Sequence, residues 1–478
     1  MSRELHVDVA ILGAGTAGLT ARRAALAEGA SVVLIDPGPF GTTCARVGCM
    51  PSKLLIAAAD AAHHARHADP FGVHAEVTVD GPAVMRRVQS ERDRFTGFVR
   101  AAIDDAEELG HVIRERGTIV APGVIEAGDT TVHYQRLILA TGSTPWAPPP
   151  YRDLPADRVL TNEGIFEVED VPGSVLVVGL GVVGLELGQA LHRLGSRVTL
   201  LSIGGFLGPL SDPEVKASAM KHLGGELDLH PEHTLHEVRA EGDGVVARFT
   251  DSHGVEREET FEKVLLAAGR RPNLSKLGLE ALGMEADDRG RYPIDPDTLQ
   301  LGELPVFVAG DANSLHPLLH EAADDGRIAG RNAARFPEVL APRRRTPLGV
   351  VFSDPQIAMV GTAFKDLPPC GASAGAASFD DQGRARVQRI NAGHLRIYAD
   401  VKTHRLLGAE MVGPRAEHIG HLLSWAVQAG FTVDQALDMP FYHPVVEEGV
   451  RTALRDLAVS LRARRRVQCE VSEDGAGA

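Results

Sequence analysis

Two of the chain's four cysteines, Cys44 and Cys49, stand five residues apart in Gly41-Thr42-Thr43-Cys44-Ala45-Arg46-Val47-Gly48-Cys49-Met50-Pro51-Ser52-Lys53. Cysteines this close point to chemistry at sulfur: a dithiol that closes to a disulfide and reopens, or thiolates that hold a metal. Two free structural thiols are the bland alternative. A disulfide here makes a geometric demand. Ideal helix would separate these Cα atoms by about 7.5 Å of rise alone, whereas bridged Cα atoms lie about 4.4–6.8 Å apart. The spacing therefore predicts that the backbone from Cys44 to Cys49 is not a regular helix while a bridge is closed, with Gly48 supplying the freedom. The reactive form is the thiolate, which needs a cation or a helix N-terminus nearby; Lys53 is a candidate cation. Thiol–disulfide interchange also needs a group that accepts and returns a proton. His443, in Met439-Pro440-Phe441-Tyr442-His443-Pro444-Val445-Val446-Glu447-Glu448, is of the residue type that can do so. Read alone it is a turn histidine, with an acid, Glu448, five residues on.

The elements around these residues are those of a nucleotide-binding protein. Leu5 to Leu12 is an apolar strand, Gly13-Ala14-Gly15-Thr16-Ala17-Gly18 a glycine turn, Leu19 to Glu28 a helix, and Ser31 to Ile35 a second strand ending in Asp36. In such a unit Gly13 permits the tight turn, Gly15 lets a pyrophosphate approach the backbone, and Gly18 lets helix and strand pack closely. The helix N-terminus faces the phosphates, and Asp36 is placed for a ribose. The pattern recurs: Ser174 to Val178 as strand, Gly179-Leu180-Gly181-Val182-Val183-Gly184 as turn, Leu185 to Leu194 as helix, Arg197 to Leu201 as strand. Two such units imply two dinucleotides, or one dinucleotide and a duplicated relic. The second ribose-reading position is Ser202, and Ile203 to Gly208 holds neither an acid nor an arginine, which favours NAD without excluding NADP.

Between the two units, residues 86 to 110 read as a long amphipathic helix, and short strands run from Val112 to Ala140 with Gly117, Gly123 and Gly128 as turn signals. Leu137 to Ala140 leads into Thr141-Gly142-Ser143, small residues that let a cofactor pass close, and Pro145 to Pro150 is a linker candidate. Residues 227 to 268 alternate like strands and end in Gly269-Arg270-Arg271-Pro272-Asn273. Leu304 to Ala309 is a strand ending in Gly310-Asp311, where an acid can hold the ribityl or phosphate end of a flavin; His320 to Gly330 looks helical. Residues 338 to 348 are a second linker. The last portion has strands at Leu348 to Phe352, His394 to Ala399 and Leu406 to Val412, with helices near 415–430 and 446–462 and a frayed tail beyond.

At 478 residues the chain has room for about three domains. A formal net charge of −15 disfavours nonspecific binding to nucleic acid or anionic membrane. The runs Arg343-Arg344-Arg345 and Arg462 to Arg466 read as solvated surface. The N-terminus has no secretion-signal pattern and no apolar run is long enough to span a bilayer, so the expectation is a cytoplasmic protein. Cys370 and Cys469 are isolated in sequence and read as incidental. His63 and His67 share a helical face at metal-ligand spacing, but no signature completes a metal site.

The redox stretch, with Ala140-Thr141-Gly142, Gly269-Arg270 followed by Pro272-Asn273, Gly310-Asp311, and His443-Pro444 with Glu448, resembles the class I pyridine nucleotide–disulfide oxidoreductases over residues 6 to 460. Within that family it is most similar to dihydrolipoamide dehydrogenase. The resemblance implies an α/β fold: an FAD domain at 1–150 and 275–345, an NAD(P) domain at 151–274, a dimerisation domain at 346–465 and a tail at 466–478. It implies FAD held by Gly13, Gly15, Gly18, Asp36, Thr43, Lys53, Gly117, Thr141, Gly142, Ser143, Gly310 and Asp311, and NAD(P) held by Gly179, Gly181, Gly184, Ser202 and Gly269. It implies a homodimer in which His443 and Glu448 of one subunit serve the disulfide of the other. Cys49 is then the flavin-side sulfur, Cys44 the interchange sulfur, and Lys53 pairs with Glu186. Differences from the family pattern are Asp36 for Glu, Arg46 for Asn, Ser202 for an acid, and Val445 for Thr. The implied partner is a small dithiol or a lipoyl-bearing protein. Reduction of a glutathione-type disulfide, or a non-enzymatic redox sensor, are the other readings. Neighbouring cysteines like those of mercuric reductase are absent from the C-terminal portion.

Overall fold

The computed structural model describes residues 3–463 and 465–467. Its helices are α1 (Thr16–Ala27), α2 (Thr43–Val47), α3 (Cys49–Arg66), α4 (Gly81–Glu108), α5 (Val182–Arg193), α6 (Pro213–Leu223), α7 (Leu319–Arg335), α8 (Gly383–Gln388), α9 (Ala416–Gln428), α10 (Val433–Leu437) and α11 (Glu448–Arg462).

The N-terminal glycine unit builds the first sheet. β1 (Arg3–Leu12) pairs in parallel with β2 (Val32–Ile35), in the register Val9 with Val32 through Leu12 with Ile35. β3 (Val112–Ile113), β4 (Gly117–Ala121), β5 (Val124–Ala127) and β6 (Thr130–Leu139) extend it to the order β3-β2-β1-β6-β5-β4. Residues Val306–Val308 return to pair in parallel with the end of β6. Val9 to Leu12 and all of β2 are buried, as expected of parallel strands covered on both faces. α7 lies along α1, and two glycines make this possible. A Cβ on Gly326 would stand 2.3 Å from the Ala17 carbonyl oxygen, and one on Gly330 2.4 Å from that of Ala21.

The second glycine unit builds a separate parallel sheet. Its strands run in the order Asp228–His230, Arg197–Leu201, Ser174–Val178, Lys263–Leu266, Val159–Leu160. An antiparallel meander of Thr234–Glu241, Gly244–Thr250 and Glu256–Phe261 packs beside it. The last portion is a five-stranded antiparallel sheet, ordered Leu348–Val351, Gln356–Gly361, Leu406–Gly413, His394–Asp400, Ala372–Ser378, with α9 and α11 packed on it.

One side chain ties three parts of the chain together. Arg193, on α5 and 4% exposed, bonds Asp60 of α3 at 2.9 Å, Glu226 at 2.7 Å and Asp354 at 3.0 Å. On the same helix face Gln189 donates to Glu226 and to the Asp354 carbonyl and accepts from the Asp354 amide. Residues 186, 189 and 193 recur at helical spacing and so form one polar stripe.

Several sequence expectations are corrected. The helix after the cysteines begins at Cys49; Pro51 falls in its first turn, where a missing N–H costs nothing. The long helix begins at Gly81, because the Asp80 side chain accepts from the Ala83 amide and Pro82 opens the first turn. Arg344 is no solvated surface residue: it bonds Asp325 and Glu321. Cys370 is disulfide-bonded rather than incidental. Cys469 and the tail beyond it lie outside the described residues.

Candidate active site

The redox stretch folds as two short-coupled helices with a break between them. α2 ends at Val47, Gly48 takes φ −136° and ψ −117°, and α3 starts at Cys49. Gly48 has no room for a side chain, since a Cβ would lie 2.9 Å from the Thr43 carbonyl oxygen. The path from Cys44 to Cys49 is therefore not regular helix. Cys49 stands at the first position of a long helix, where free backbone N–H groups and the positive end of the dipole favour an anion.

The two sulfurs are unbridged in this structure, and the Cys44 thiol is hydrogen-bonded to Cys49. That bond, and behind it the charge of Lys53, draws Cys49 down to about 7 against the opposing effect of burial. The same bond, with burial, pushes Cys44 up. The pair is thus polarised into one ready thiolate and one held proton. Lys53, one turn along α3, bonds Glu186 Oε2 of α5 at 2.7 Å. Its ammonium also lies 4.3 Å from the Phe352 ring centroid. Glu186 is 3% exposed, and its other oxygen accepts from the Phe352 amide at 3.0 Å. A buried carboxylate with both oxygens used, and a cation held between it and a ring, form a rigid support beside the thiolate.

A cleft joins the cysteines to the first glycine loop. Its lining includes Gly15, Thr16, Thr43, Cys44, Cys49, Gly142, Gly310 and Asp311. The loop geometry tests whether a dinucleotide fits. Gly13 has φ +108° and Gly179 φ +109°, with the Cβ positions blocked by the Ala140 and Ala267 carbonyls. A Cβ on Gly18 or on Gly184 would lie 1.9 Å from the Gly13 or Gly179 carbonyl oxygen. By contrast Gly15 and Gly181 face open space, with nothing within 4 Å. Both loops are therefore closed on the sheet side and open at the helix N-terminus, the shape a pyrophosphate requires. A second cleft holds Gly181, Val182, Val183, Gly269 and Arg270 and meets the first at Asp311 and Pro317.

Other expected ligands have additional duties. The Asp36 carboxylate accepts from the Ala14 amide at 2.6 Å and the Gly38 amide at 2.7 Å, so it braces the glycine loop. Thr141 donates to the Asn273 carbonyl, and Ser143 donates to Asp311 at 2.7 Å. Gly117 faces the Leu12 and Ile35 side chains, a packing position. Ser202 donates its amide to the His230 carbonyl, and its own carbonyl is bonded to the His233 ring.

Sequence reading missed Asn162 and Arg270 as site residues. Asn162, nearly buried, donates to the Val47 carbonyl at 2.8 Å and accepts from Arg270 at 2.9 Å. Arg270 in turn donates to Ser143 Oγ at 2.7 Å. This chain of bonds clamps the turn between the cysteines. Arg270 adjoined a glycine already singled out, but Asn162 carried no signal.

His443 lies apart from the cysteines, and no residue of 439–448 lines their cleft. It is 80% exposed, with Nδ1 3.0 Å from Glu448 Oε2. Glu448 also engages Arg451 at 2.7 Å. Desolvation raises the Glu448 carboxyl, but bonds from His443 and the Val445 amide and the charge of Arg451 outweigh it and hold the group below its ordinary range. His63 and His67 stack at 4.1 Å, and His63 is pushed down to about 4 by burial and by Arg193. Among the described residues there is no cluster of three metal-ligating side chains, and no helix is long and apolar enough to cross a membrane.

Comparison with known proteins agrees with this geometry. The pattern of the family described as "Pyridine nucleotide-disulphide oxidoreductase" matches residues 7–326, and that of its dimerisation domain matches 348–454. The chain is 31% identical to a dihydrolipoyl dehydrogenase of Halobacterium salinarum, over 93% of this chain and 95% of that protein. It is 33% identical to a mercuric reductase of Streptomyces lividans, over 90% and 91%. Its fold is similar to the crystal structure of LpdA from Mycobacterium tuberculosis, with a TM-score of 0.80 and 25% identity over 94% of this chain and 99% of that one. With the paired glycine loops and the cysteine cleft, these matches show that the chain belongs to the class I pyridine nucleotide–disulfide oxidoreductases, enzymes that use FAD and NAD(H).

Proposed function

We propose that the enzyme exchanges electrons between NAD(H) and a dithiol of the dihydrolipoyl class, with Cys44 and Cys49 as the redox pair. The observation that carries this reading is the geometry of the pair: Cys44 and Cys49 flank the break at Gly48, Cys49 opens the long helix α3, and both line the cleft that reaches the Gly15 loop. The dihydrolipoyl class is supported by the curated relatives of that name. The first cleft would hold FAD, with Gly15 open to its pyrophosphate and Cys44 and Cys49 lining the same cleft; bound there it would supply the two-electron carrier between sulfur and nicotinamide. The second cleft, at Gly181, would hold the nicotinamide dinucleotide. NAD is favoured because Ile203 to Gly208 has no arginine for a 2′-phosphate.

The protein's own steps follow from the two thiols. With the bridge closed, a substrate thiolate attacks Cys44 Sγ, the Cys44–Cys49 bond breaks, and Cys49 leaves as the thiolate. Cys49 is the better leaving group because its pKa is the lower. His443 of the partner subunit then takes the proton of the second substrate thiol. That thiol attacks the sulfur bonded to Cys44, releasing the substrate as a disulfide and leaving two electrons on the protein. Glu448 holds the ring and stabilises its cation. The dimerisation-domain match and the exposed apolar residues Leu422, Trp425 and Tyr442 support a homodimer that completes the site in this way.

Two measurements test the proposal. His443→Gln should lower dithiol turnover by about 10²–10⁴-fold, while reduction of the bound flavin by NADH stays at the wild-type rate. Co-expressed His443→Gln and Cys44→Ser chains should regain activity, because each mixed dimer pairs an intact disulfide with the partner's intact histidine. No recovery in isolated mixed dimers would place the histidine in its own subunit's site or outside the mechanism. Glutathione disulfide and NADPH run in parallel decide between substrate and nucleotide classes.

A further inference from the structure

The redox chemistry does not use the basic run Arg343-Arg344-Arg345. The run crosses the outer face of α7, where Arg327, Arg331 and Arg335 stand at four-residue intervals and share one side of the helix. The six guanidiniums line a cavity of about 370 Å³ with three carboxylates in its lining, Glu28, Glu321 and Asp324, and a fourth, Asp325, behind it on Arg344. This surplus of positive charge is local, since the whole chain carries a formal net charge of −15. Like charges stacked at this spacing oppose helix formation, so a stable arrangement calls for counter-charge.

The arginines are held in place from beneath. Asp324, Asp325 and Glu321 are all nearly buried. Asp324 holds Arg327 at 2.8 Å and Arg345 at 3.3 Å, while Arg344 bonds both Asp325 and Glu321. The wall is fastened as well. Asn332, 2% exposed, accepts from the Leu340 amide at 3.0 Å and donates to the carbonyls of Leu340 and Thr298. Two guanidiniums are left with donors to spare. Arg331 stands 3.9 Å from Glu28, beyond hydrogen-bond reach, and Arg343 makes one long contact of 3.4 Å to the Gln428 carbonyl. One projects from the helix and the other from the segment that crosses it.

We propose that this cavity binds a small, multiply charged phosphate compound of the diphosphate class, gripped by Arg331 and Arg343. The planar fork of guanidinium matches phosphate oxygens two at a time. The volume suits a compact ligand rather than a polymer. The cavity shares no lining residue with either glycine-loop cleft, so its occupant is neither of the two dinucleotides.

The test is calorimetric titration of inorganic pyrophosphate into the full-length, FAD-loaded protein, with NAD present in excess to fill the nucleotide cleft. One site per chain is expected, weakening as salt is raised. The double variant Arg331→Gln/Arg343→Gln should lose affinity by about tenfold or more, because it removes two charge-assisted contacts. Glu28→Gln, which frees Arg331 and Arg335, should bind more tightly, an effect in the opposite direction that misfolding cannot mimic. Absence of binding at millimolar pyrophosphate, or a double variant that binds like the wild type, overturns the proposal. Citrate binding as tightly as pyrophosphate overturns the phosphate class.

Discussion

Replacing Cys44 by alanine tests how the Cys49 thiolate is stabilised. In the wild type the largest stabilising contribution is the hydrogen bond from Cys44, which brings Cys49 to about 7, and Lys53 contributes less. A hydrogen bond to a charged group is worth about 1.5–3 kcal/mol, and one pKa unit is about 1.36 kcal/mol. Its loss therefore moves the Cys49 titration up by about one to two units, to roughly 8–9. The sign follows from the direction of the shift: the thiolate forms as pH rises, so at pH 7 about half of wild-type Cys49 is ionised and about a tenth or less in the variant. The assay is the rate of Cys49 alkylation by iodoacetamide across pH, read by mass spectrometry on the reduced protein. Lys53→Met, measured alongside, should produce the smaller shift. An unmoved Cys49 titration in Cys44→Ala, or a larger displacement in Lys53→Met, would mean that the lysine and the α3 N-terminus set the thiolate, and the reasoning from the hydrogen bond would fail.

Other expected outcomes follow from packing and charge. Arg193→Met strands Asp60, Glu226 and Asp354 around an apolar side chain. It should lower stability by about 3 kcal/mol, the low end for a broken buried ion pair, seen as a lower urea midpoint. Lysine should not rescue it, because one ammonium cannot reproduce the fork. Gly18→Ala and Gly184→Ala each drive a methyl into a carbonyl oxygen at 1.9 Å. The first should strip flavin during purification, and the second should weaken NADH binding while the protein stays yellow; exchanged phenotypes would reverse the assignment of the two loops. Asn162→Ala removes the clamp on the Val47 carbonyl and should cost about 1–3 kcal/mol of local stability. The readout is faster amide hydrogen exchange across residues 44–49, with the rest of the first sheet unchanged.

Much of the site was legible in the sequence because backbone rules act locally. A glycine with φ near +108° and a glycine against a carbonyl can be read from spacing alone, since no other residue type fits either position. A break between Cys44 and Cys49 was expected of the closed bridge; in the unbridged structure it is made by Gly48, packed against the Thr43 carbonyl.

Tertiary structure alone decided which charges meet. Arg193 and Asp354 are 161 residues apart and nothing in their local sequence names the partner; Lys53 and Glu186, 133 apart, were paired beforehand only through the family resemblance. The outcome depends on α5 docking its polar stripe against α3 and the 352–354 segment. The same holds for Asn162, an ordinary loop residue until a distant turn presents the Val47 carbonyl to it, and for Arg343-Arg344-Arg345, which reads as solvated charge until α7 brings buried carboxylates beneath it. Sequence by itself determined the loops, the strands and the spacing of the sulfurs, because these depend on sterics within a few residues. The thiolate's support, the clamp and the arginine cavity depend on contacts made only when separate elements pack, so the folded structure was needed to find them.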